Sequence, residues 1–216
     1  MFVVCGEALM DVYAANEDSP HGIALDARVG GSPFNVAVGL ARLAQPVAFF
    51  GAVSTDVLGE RLMRALQAEG VQCDAVARPS APTTLALVHP GGHGGDGAPG
   101  YTFHGEGAAD RQLGMDALAT LPPRMRALQV GSYACVVEPI ASTLRALVVR
   151  EHGRTPVCFD PNIRPGVEPD LDIWRDLVRW MLPRCDLLKV SEEDLQLLRP
   201  GVNLAQFAGA ALAAGV

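Results

Sequence analysis

The strongest constraint on this chain is its alternation of short apolar runs with amphipathic stretches of helical length. Val157-Cys158-Phe159 precedes a helix predicted over Leu171 to Leu182, and Asp186 to Val190 reads as a strand before a helical stretch after Ser191. Upstream, Leu128-Gln129-Val130 precedes a helix from about Pro139 carrying Ile140, Leu144 and Leu147. Strands that alternate with helices of 10–15 residues form βαβ units on a parallel sheet. Nearer the N-terminus, Phe2-Val3-Val4-Cys5 and Val47-Ala48-Phe49-Phe50 are short apolar runs that suit buried strands. Between them a helix opens after Gly30-Gly31, with Ser32 as its expected N-cap, Pro33 at the first position, and Val36, Leu40 and Leu43 along one face. Asp56 is placed to cap a second helix carrying Leu58, Leu62 and Leu66, with Gly70 past its end. Thr83 to His89 and Tyr101 to Phe103 read as a hairpin around a glycine-rich loop, and Asn16 to Arg28 as a polar turn or lid connection. The residues Ala210 to Val216 read as the end of a helix, with no strand after them in these residues. The expected class is α/β with a small β appendage. A length of 216 residues suits one large domain, or one with a small addition.

Composition narrows the function. With 49% hydrophobic and 19% charged residues, the chain can bury a sizeable core. A net charge of −7 argues against a nucleic-acid binder, which usually carries a basic face. No apolar run is long enough to span a membrane. The first residues lack a basic region and include Glu7 and Asp11, which argues against a signal peptide. Cys5, Cys73, Cys135, Cys158 and Cys185 are scattered and odd in number, as expected of reduced thiols in a cytoplasmic protein.

Five segments could carry chemistry, and each has a plainer reading. The loop Pro90 to Gly100 contains two G-x-G-x-x-G matches, Gly92 to Gly97 and Gly95 to Gly100. A dinucleotide fingerprint must open a helix, whereas Pro99 and a β-type segment follow here, so the loop is a linker. In Gly30-Gly31-Ser32-Pro33-Phe34-Asn35, paired glycines admit a ligand to the backbone and Asn35 offers a donor and an acceptor in the helix's first turn. That suits a polyhydroxylated ligand; a tight turn with a cap uses the same residues. Asp11, expected just after the first strand, could accept two hydroxyls or be a solvated loop acid. Asp160 to Pro165 places an acid, an amide and Arg164 at a strand's C-terminal end, suited to phosphate or to an internal Asp–Arg pair. Ser191-Glu192-Glu193-Asp194 is a capping box, or an acidic site for hydrated magnesium.

Taken together, the segments GEALMDVY (6–13), GGSPFNVAVGLARL (30–43), FFGAVSTDVLGERL (49–62), YTFHGEGAADRQL (101–113), DPNIRP (160–165) and DLLKVSEEDLQLL (186–198) resemble the ribokinase-like (PfkB) carbohydrate kinases. The wording is most similar to bacterial fructokinases. The resemblance implies a three-layer α/β/α, Rossmann-like, mostly parallel sheet in one domain over 1–216. It also implies a β lid from segments at about 12–29 and 82–106, which pairs two copies in many members. The implied activity is transfer of the γ-phosphoryl of ATP, with magnesium, to a hydroxyl of a monosaccharide, most simply fructose. A 2-keto-3-deoxygluconate kinase is the alternative of the same chemistry, and an inactive relative that binds sugar or a partner is the alternative of another class.

Carried over by position, Asp11, Gly30, Gly31, Asn35, Tyr101, Phe103 and His104 fall on the sugar side, with His104 where the family often has Arg. Asn162, Arg164, Lys189 and Ser191 fall on the phosphate side, where Arg164 would steady phosphate. Asp194 would act indirectly on magnesium, Ser191-x-x-Asp194 replacing the family's N-x-x-E. Ala44 and Ser54 replace usual glycines. The family's Gly-Ala-Gly-Asp turn, whose Asp is the base for the sugar hydroxyl, does not occur in these residues. The expectation is that this base lies beyond Val216, in a C-terminal third of the family fold that the chain lacks.

Overall fold

The computed structural model describes residues 1–14, 21–89 and 100–216. Four of the apolar runs and one short segment build a parallel sheet: β1 (Phe2–Cys5), β4 (Val47–Phe50), β7 (Ala127–Gly131), β8 (Val157–Asp160) and β9 (Leu187–Leu188), in the order β4-β1-β7-β8-β9. Side chains alternate across a strand, and here they feed two separate cores. Val3, Cys5, Leu128 and Val130 join one; Val4, Val47 and Phe49 join the other. The first core is closed by α3 (Ile140–Glu151) and α4 (Leu171–Met181) through Leu144, Leu147, Trp174 and Leu177. The second is closed by α1 (Ser32–Arg42) and α2 (Val57–Ala68) through Phe34, Ala37, Leu62 and Leu66. The outcome is the expected three-layer α/β/α arrangement. Two helices, α5 (Glu192–Leu198) and α6 (Leu204–Ala214), follow β9, capped by the side chains of Ser191 and Asn203. Past α6, the Val216 N–H donates to the Ala211 carbonyl at 3.3 Å, and its side chain packs against the first core.

A second sheet has the order β3-β2-β5-β6, from β2 (Leu9–Ala14), β3 (Leu25–Gly30), β5 (Leu85–His89) and β6 (Gly100–His104). β5 and β6 pair antiparallel with His89 opposite Gly100, as a hairpin requires. The glycine-rich residues 90–99, with both G-x-G-x-x-G matches up to Gly100, lie outside the described residues, as do 15–20.

Several expectations need correction. Leu25 to Arg28 is strand rather than turn, paired antiparallel with β2. Asp11 is not in a loop after β1 but inside β2, opposite Arg28, so it belongs to the small sheet. Gly31, not Ser32, is the N-cap of α1, at φ 108°, a backbone conformation that side-chain-bearing residues rarely adopt. Leu43 lies past the helix end and is 71% exposed; Phe34 and Ala37 carry the buried face instead. The strand expected over Asp186 to Val190 contracts to Leu187–Leu188, although Asp186 N and Lys189 N still donate to the β8 carbonyls of Val157 and Phe159 at 2.8 and 3.0 Å.

Asp56 does cap α2, and it does more. Its Oδ1 accepts from Gly59 N and Thr83 Oγ1, both at 2.7 Å, and its Oδ2 from Thr83 N at 2.8 Å. These bonds hold its carboxyl below the usual range despite partial burial. One carboxylate thus ties the start of α2 to the segment entering β5. Asp56→Ala removes the cap and orphans the buried Thr83, for an expected loss of about 2 kcal/mol in urea unfolding. An unchanged midpoint would show that water replaces all three bonds.

Candidate functional site

A cavity of about 460 Å³ opens above the C-terminal ends of β1, β7, β8 and β9, the usual ligand position on an open parallel sheet. Its lining comes from several elements. Glu7 follows β1; Leu9 and Asp11 come from β2; Gly31, Ser32, Asn35 and Val36 form the turn into α1 and its first residues. Tyr101 and Phe103 come from β6, and Ser132 and Tyr133 follow β7. Asp160, Asn162 and Arg164 end β8 and continue from it, and Lys189 follows β9. The small sheet therefore supplies part of the wall. Phe103 stacks on Tyr101 at 6.2 Å between centroids and meets Tyr133 edge-on at 6.0 Å, joining that wall to the floor.

The glycine pair sets the turn beside Asp11. A Cβ on Gly30 would stand 2.2 Å from Asp11 Oδ2, so the missing side chain makes room for that carboxylate. One on Gly31 would stand 2.8 Å from the carbonyl oxygen of Glu7, so the turn packs directly on the backbone at the end of β1. Asn35, one turn on, is exposed and lines the cavity. Burial raises the pKa of Asp11, opposed by the charge of Arg164.

Two and three strands over, the other side of the cavity is differently charged. Asp160 Oδ2 lies 3.0 Å from Lys189 Nζ, so the acid pairs with Lys189 rather than with the nearby Arg164. Burial raises the pKa of Asp160, and Lys189 works against that rise. Arg164 donates Nη1 to the Ile163 carbonyl at 2.9 Å. Its charge also acts on both Asp11 and Glu7.

Two strained backbones and two buried unpaired oxygens lie at the cavity, while Ala44, Arg111 Nε and Gln129 Oε1 carry the same features elsewhere. Asn162 has φ 39° and Ser132 φ 57°, both left-handed for residues bearing side chains. Among the described residues, Asn162 Oδ1 and Glu7 Oε2 are buried without a hydrogen-bond partner. Each such orphan costs about 1–3 kcal/mol. Glu7 is 1% exposed, and its pKa is pushed up to about 7, first by burial and then by Asp110, against the bond from Ser132 and the charge of Arg164. Behind the floor, Asp110 is itself buried, accepting from Thr84 Oγ1 and, at 2.7 Å, from Tyr133 Oη.

The cavity thus gathers Asp11, Gly31, Asn35, Tyr101, Phe103, Asn162, Arg164 and Lys189. Gly30 lies just behind Asp11. His104 does not line it: residues alternate along β6, so His104 faces away from the side of Phe103. Ser191 and Asp194 do not line it either. Ser191 Oγ accepts from Asp194 N at 3.0 Å, the N-cap half of a capping box, and donates to Asp194 Oδ2 at 2.8 Å, so the acid bonds the cap's hydroxyl instead of its backbone N–H. Asp194 Oδ1 accepts from Ile163 N at 2.8 Å. Each carboxylate oxygen of Asp194 accepts one hydrogen bond, and the residue is 4% exposed and off the cavity lining, so it is placed to act on a metal in the cavity indirectly. Val216, the residue past which the base is expected, is also away from the cavity; it borders a separate apolar hollow with Leu188, Val190 and Phe207. No cluster of three or more His, Cys, Asp or Glu suited to a metal occurs among the described residues. Sequence reasoning does not single out Glu7, Ser132 or Tyr133. A signal for them exists: each follows the apolar run of a buried parallel strand, where ligand-facing residues sit.

This α/β/α fold has a cavity walled by a second small sheet, and the comparisons with known proteins give its class. The chain belongs to the pfkB family of carbohydrate kinases, whose profile matches residues 1–208. It is 34% identical over 196 residues to the fructokinase of Rhizobium leguminosarum bv. trifolii, covering 90% of this chain and 58% of that protein. Among solved structures, the fructokinase of Xylella fastidiosa superposes with a TM-score of 0.83 at 27% identity, over 99% of this chain and 69% of that one. The fructokinase of Vibrio cholerae O395 with fructose, ADP and calcium bound gives 0.81 at 28% identity, over 99% and 67%. The chain spans 58% of the Rhizobium protein's length and between half and two-thirds of several other curated relatives. No described helix is long and apolar enough to cross a membrane.

Proposed function

We propose that this chain supplies the sugar-binding side and part of the phosphate-handling side of an ATP-dependent sugar kinase, with fructose as the sugar. The observation that carries the reading is the two-sided cavity: Asp11 and Asn35 beside a glycine turn, facing Arg164 and Lys189 across about 460 Å³. Asp11 suits a hydroxyl-rich ligand because a carboxylate accepts two hydroxyl protons, and Asn35 adds a donor and an acceptor. Arg164 and Lys189 suit phosphate, the first through its planar fork and the second as a point charge. Tyr101 and Phe103 cover the sugar and exclude water.

In the reaction, a sugar hydroxyl oxygen bonds to the γ-phosphorus of ATP as the bond to the β–γ bridging oxygen breaks. Arg164 and Lys189 steady the charge on the moving phosphoryl. The hydroxyl proton passes to a base that we place beyond Val216, on a Gly-Ala-Gly-Asp turn. Magnesium binds through few protein carboxylates and keeps its waters and phosphate ligands. That fits an acid side consisting of Asp160, tied to Lys189, with the buried Asp194 behind it. Ser191 serves this side by holding Asp194. Pairing of two copies is proposed through the small sheet, where Tyr13 and Leu25 are exposed.

The test is a substrate panel on the whole gene product, with fructose and 2-keto-3-deoxygluconate as the leading candidates. Asp11→Ala is expected to weaken sugar binding by about 1.5–3 kcal/mol, roughly 10- to 150-fold. Unchanged affinity removes Asp11 from the site.

A further inference from the structure

Behind the cavity, one buried carboxylate joins the small sheet to the large one. Asp110 is 2% exposed and sits in the short turn Ala109–Arg111 that follows β6. Its Oδ1 accepts from Thr84 Oγ1, and its Oδ2 from Tyr133 Oη at 2.7 Å. Thr84 stands just before β5, and its carbonyl accepts from Met10 N of β2 at 3.0 Å, next to Asp11. Tyr133 follows β7 and meets Phe103 of β6 edge-on. A single acid therefore ties, from the rear, the strand that carries Asp11 to the ring against which Phe103 rests.

The surrounding packing holds this network closely. The Ala109 N–H donates to the Pro82 carbonyl at 2.9 Å, which keeps the turn on the segment entering β5. A Cβ on Gly105 would stand 2.7 Å from Thr84 Oγ1 and 3.0 Å from Arg111 Nη2, so the glycine lets the chain leaving β6 close over the bonds. Arg111 lies 5.9 Å over the Tyr133 ring. Apolar contacts tolerate some sliding between layers, whereas a satisfied buried network of this kind rigidifies its surroundings and specifies one arrangement. The phosphate side is held separately, Arg164 on the Ile163 carbonyl and Lys189 on Asp160.

We infer that Asp110 is a positioning residue for the sugar: through Thr84 and Tyr133 it sets the spacing of Asp11 and Phe103 across the sugar side of the cavity. This rests on the sugar-binding reading of the same cavity. Asp110 acts from behind and does not touch the substrate. Its removal leaves Asp11 and Phe103 present but loosely placed, and a misplacement of about 1 Å can cost as much as about a hundredfold.

The experiment measures KM for fructose and for ATP, together with urea unfolding, on the whole gene product and its Asp110→Ala and Asp110→Asn variants. Asp110→Ala should raise KM for fructose about tenfold or more and leave KM for ATP within about twofold. Asp110→Asn should recover most of that loss, since its amide can accept from one hydroxyl and donate to the other. Thr84→Val and Tyr133→Phe each cut one bond with little change of shape, and should each raise KM for fructose alone. They decide the matter if the alanine variant does not fold. A merely structural Asp110 lowers the unfolding midpoint and leaves both KM values unchanged or raises them alike; either result overturns the assignment while the sugar reading stands. If the wild type phosphorylates no sugar, that reading fails and takes the role of Asp110 with it.

Discussion

Between about pH 4.5 and pH 7, the unfolding free energy should fall by up to about 3 kcal/mol on account of Glu7 alone. Its carboxyl moves from 4.5 in a solvated chain to about 7 in the folded protein, chiefly because burial disfavours the charged form. Below 4.5 the group is protonated in both states and the fold bears no penalty. As the pH rises, the unfolded chain releases this proton first, so the folded state binds more protons and stability declines. Above about 7 both states are ionised and the decline levels off. Other groups titrate across the same range. Asp110, buried behind the floor, shifts in the same direction, while Asp56 is held low and acts in the opposite sense at more acidic pH. The measurement is therefore a difference. Urea unfolding of the wild type and of Glu7→Gln, at several pH values from about 4 to 8, should show the variant gaining up to about 3 kcal/mol relative to the wild type. A constant difference would mean that Glu7 ionises as it does in water.

How much of this is legible in the sequence depends on where each signal resides. β1, β4, β7 and β8 are readable because strands buried on both faces are continuous apolar runs. β2 and β3 are not, and the misplacement of Asp11 follows from that. LMDVYA carries its acid in mid-strand, and LDARVG is largely exposed, so neither shows the usual alternation; pairing with each other and with β5 makes them strands. The Asp160–Lys189 pair joins residues far apart in sequence, and only the adjacency of β8 and β9 brings them together. Motif position places His104 at the sugar, but strand alternation decides which side chains meet the cavity. The caps at Asp56, Ser191 and Asn203 are local hydrogen bonds, and local patterns announce them. Glu7 carries no local mark, because its burial is made by the α1 turn and Ser132.

Asp194 shows a local pattern with a distant consequence, and its removal should be among the most damaging changes near the cavity. The carboxylate is 4% exposed and joins two segments: it completes the cap of α5 through Ser191 and accepts the Ile163 backbone N–H. Ile163 is buried and stands between Asn162, whose backbone is left-handed, and Arg164. Asp194→Ala orphans that N–H and leaves the Ser191 hydroxyl without its acceptor, while the cap bond from the backbone N–H of residue 194 remains, for an expected loss of about 2–4 kcal/mol in urea unfolding. The freed segment should also let Arg164 wander, lowering kcat more than it raises KM for the sugar. Asp194→Asn separates this positioning role from a direct hold on magnesium. Asparagine keeps an acceptor for Ile163 N, so it should recover most of the stability and of kcat, and leave the magnesium dependence of the rate close to that of the wild type. A variant as stable as the wild type but needing much more magnesium would instead place the Asp194 charge at the metal. The burial of Asp194 away from the cavity and its bonds to Ile163 and Ser191 favour the first outcome.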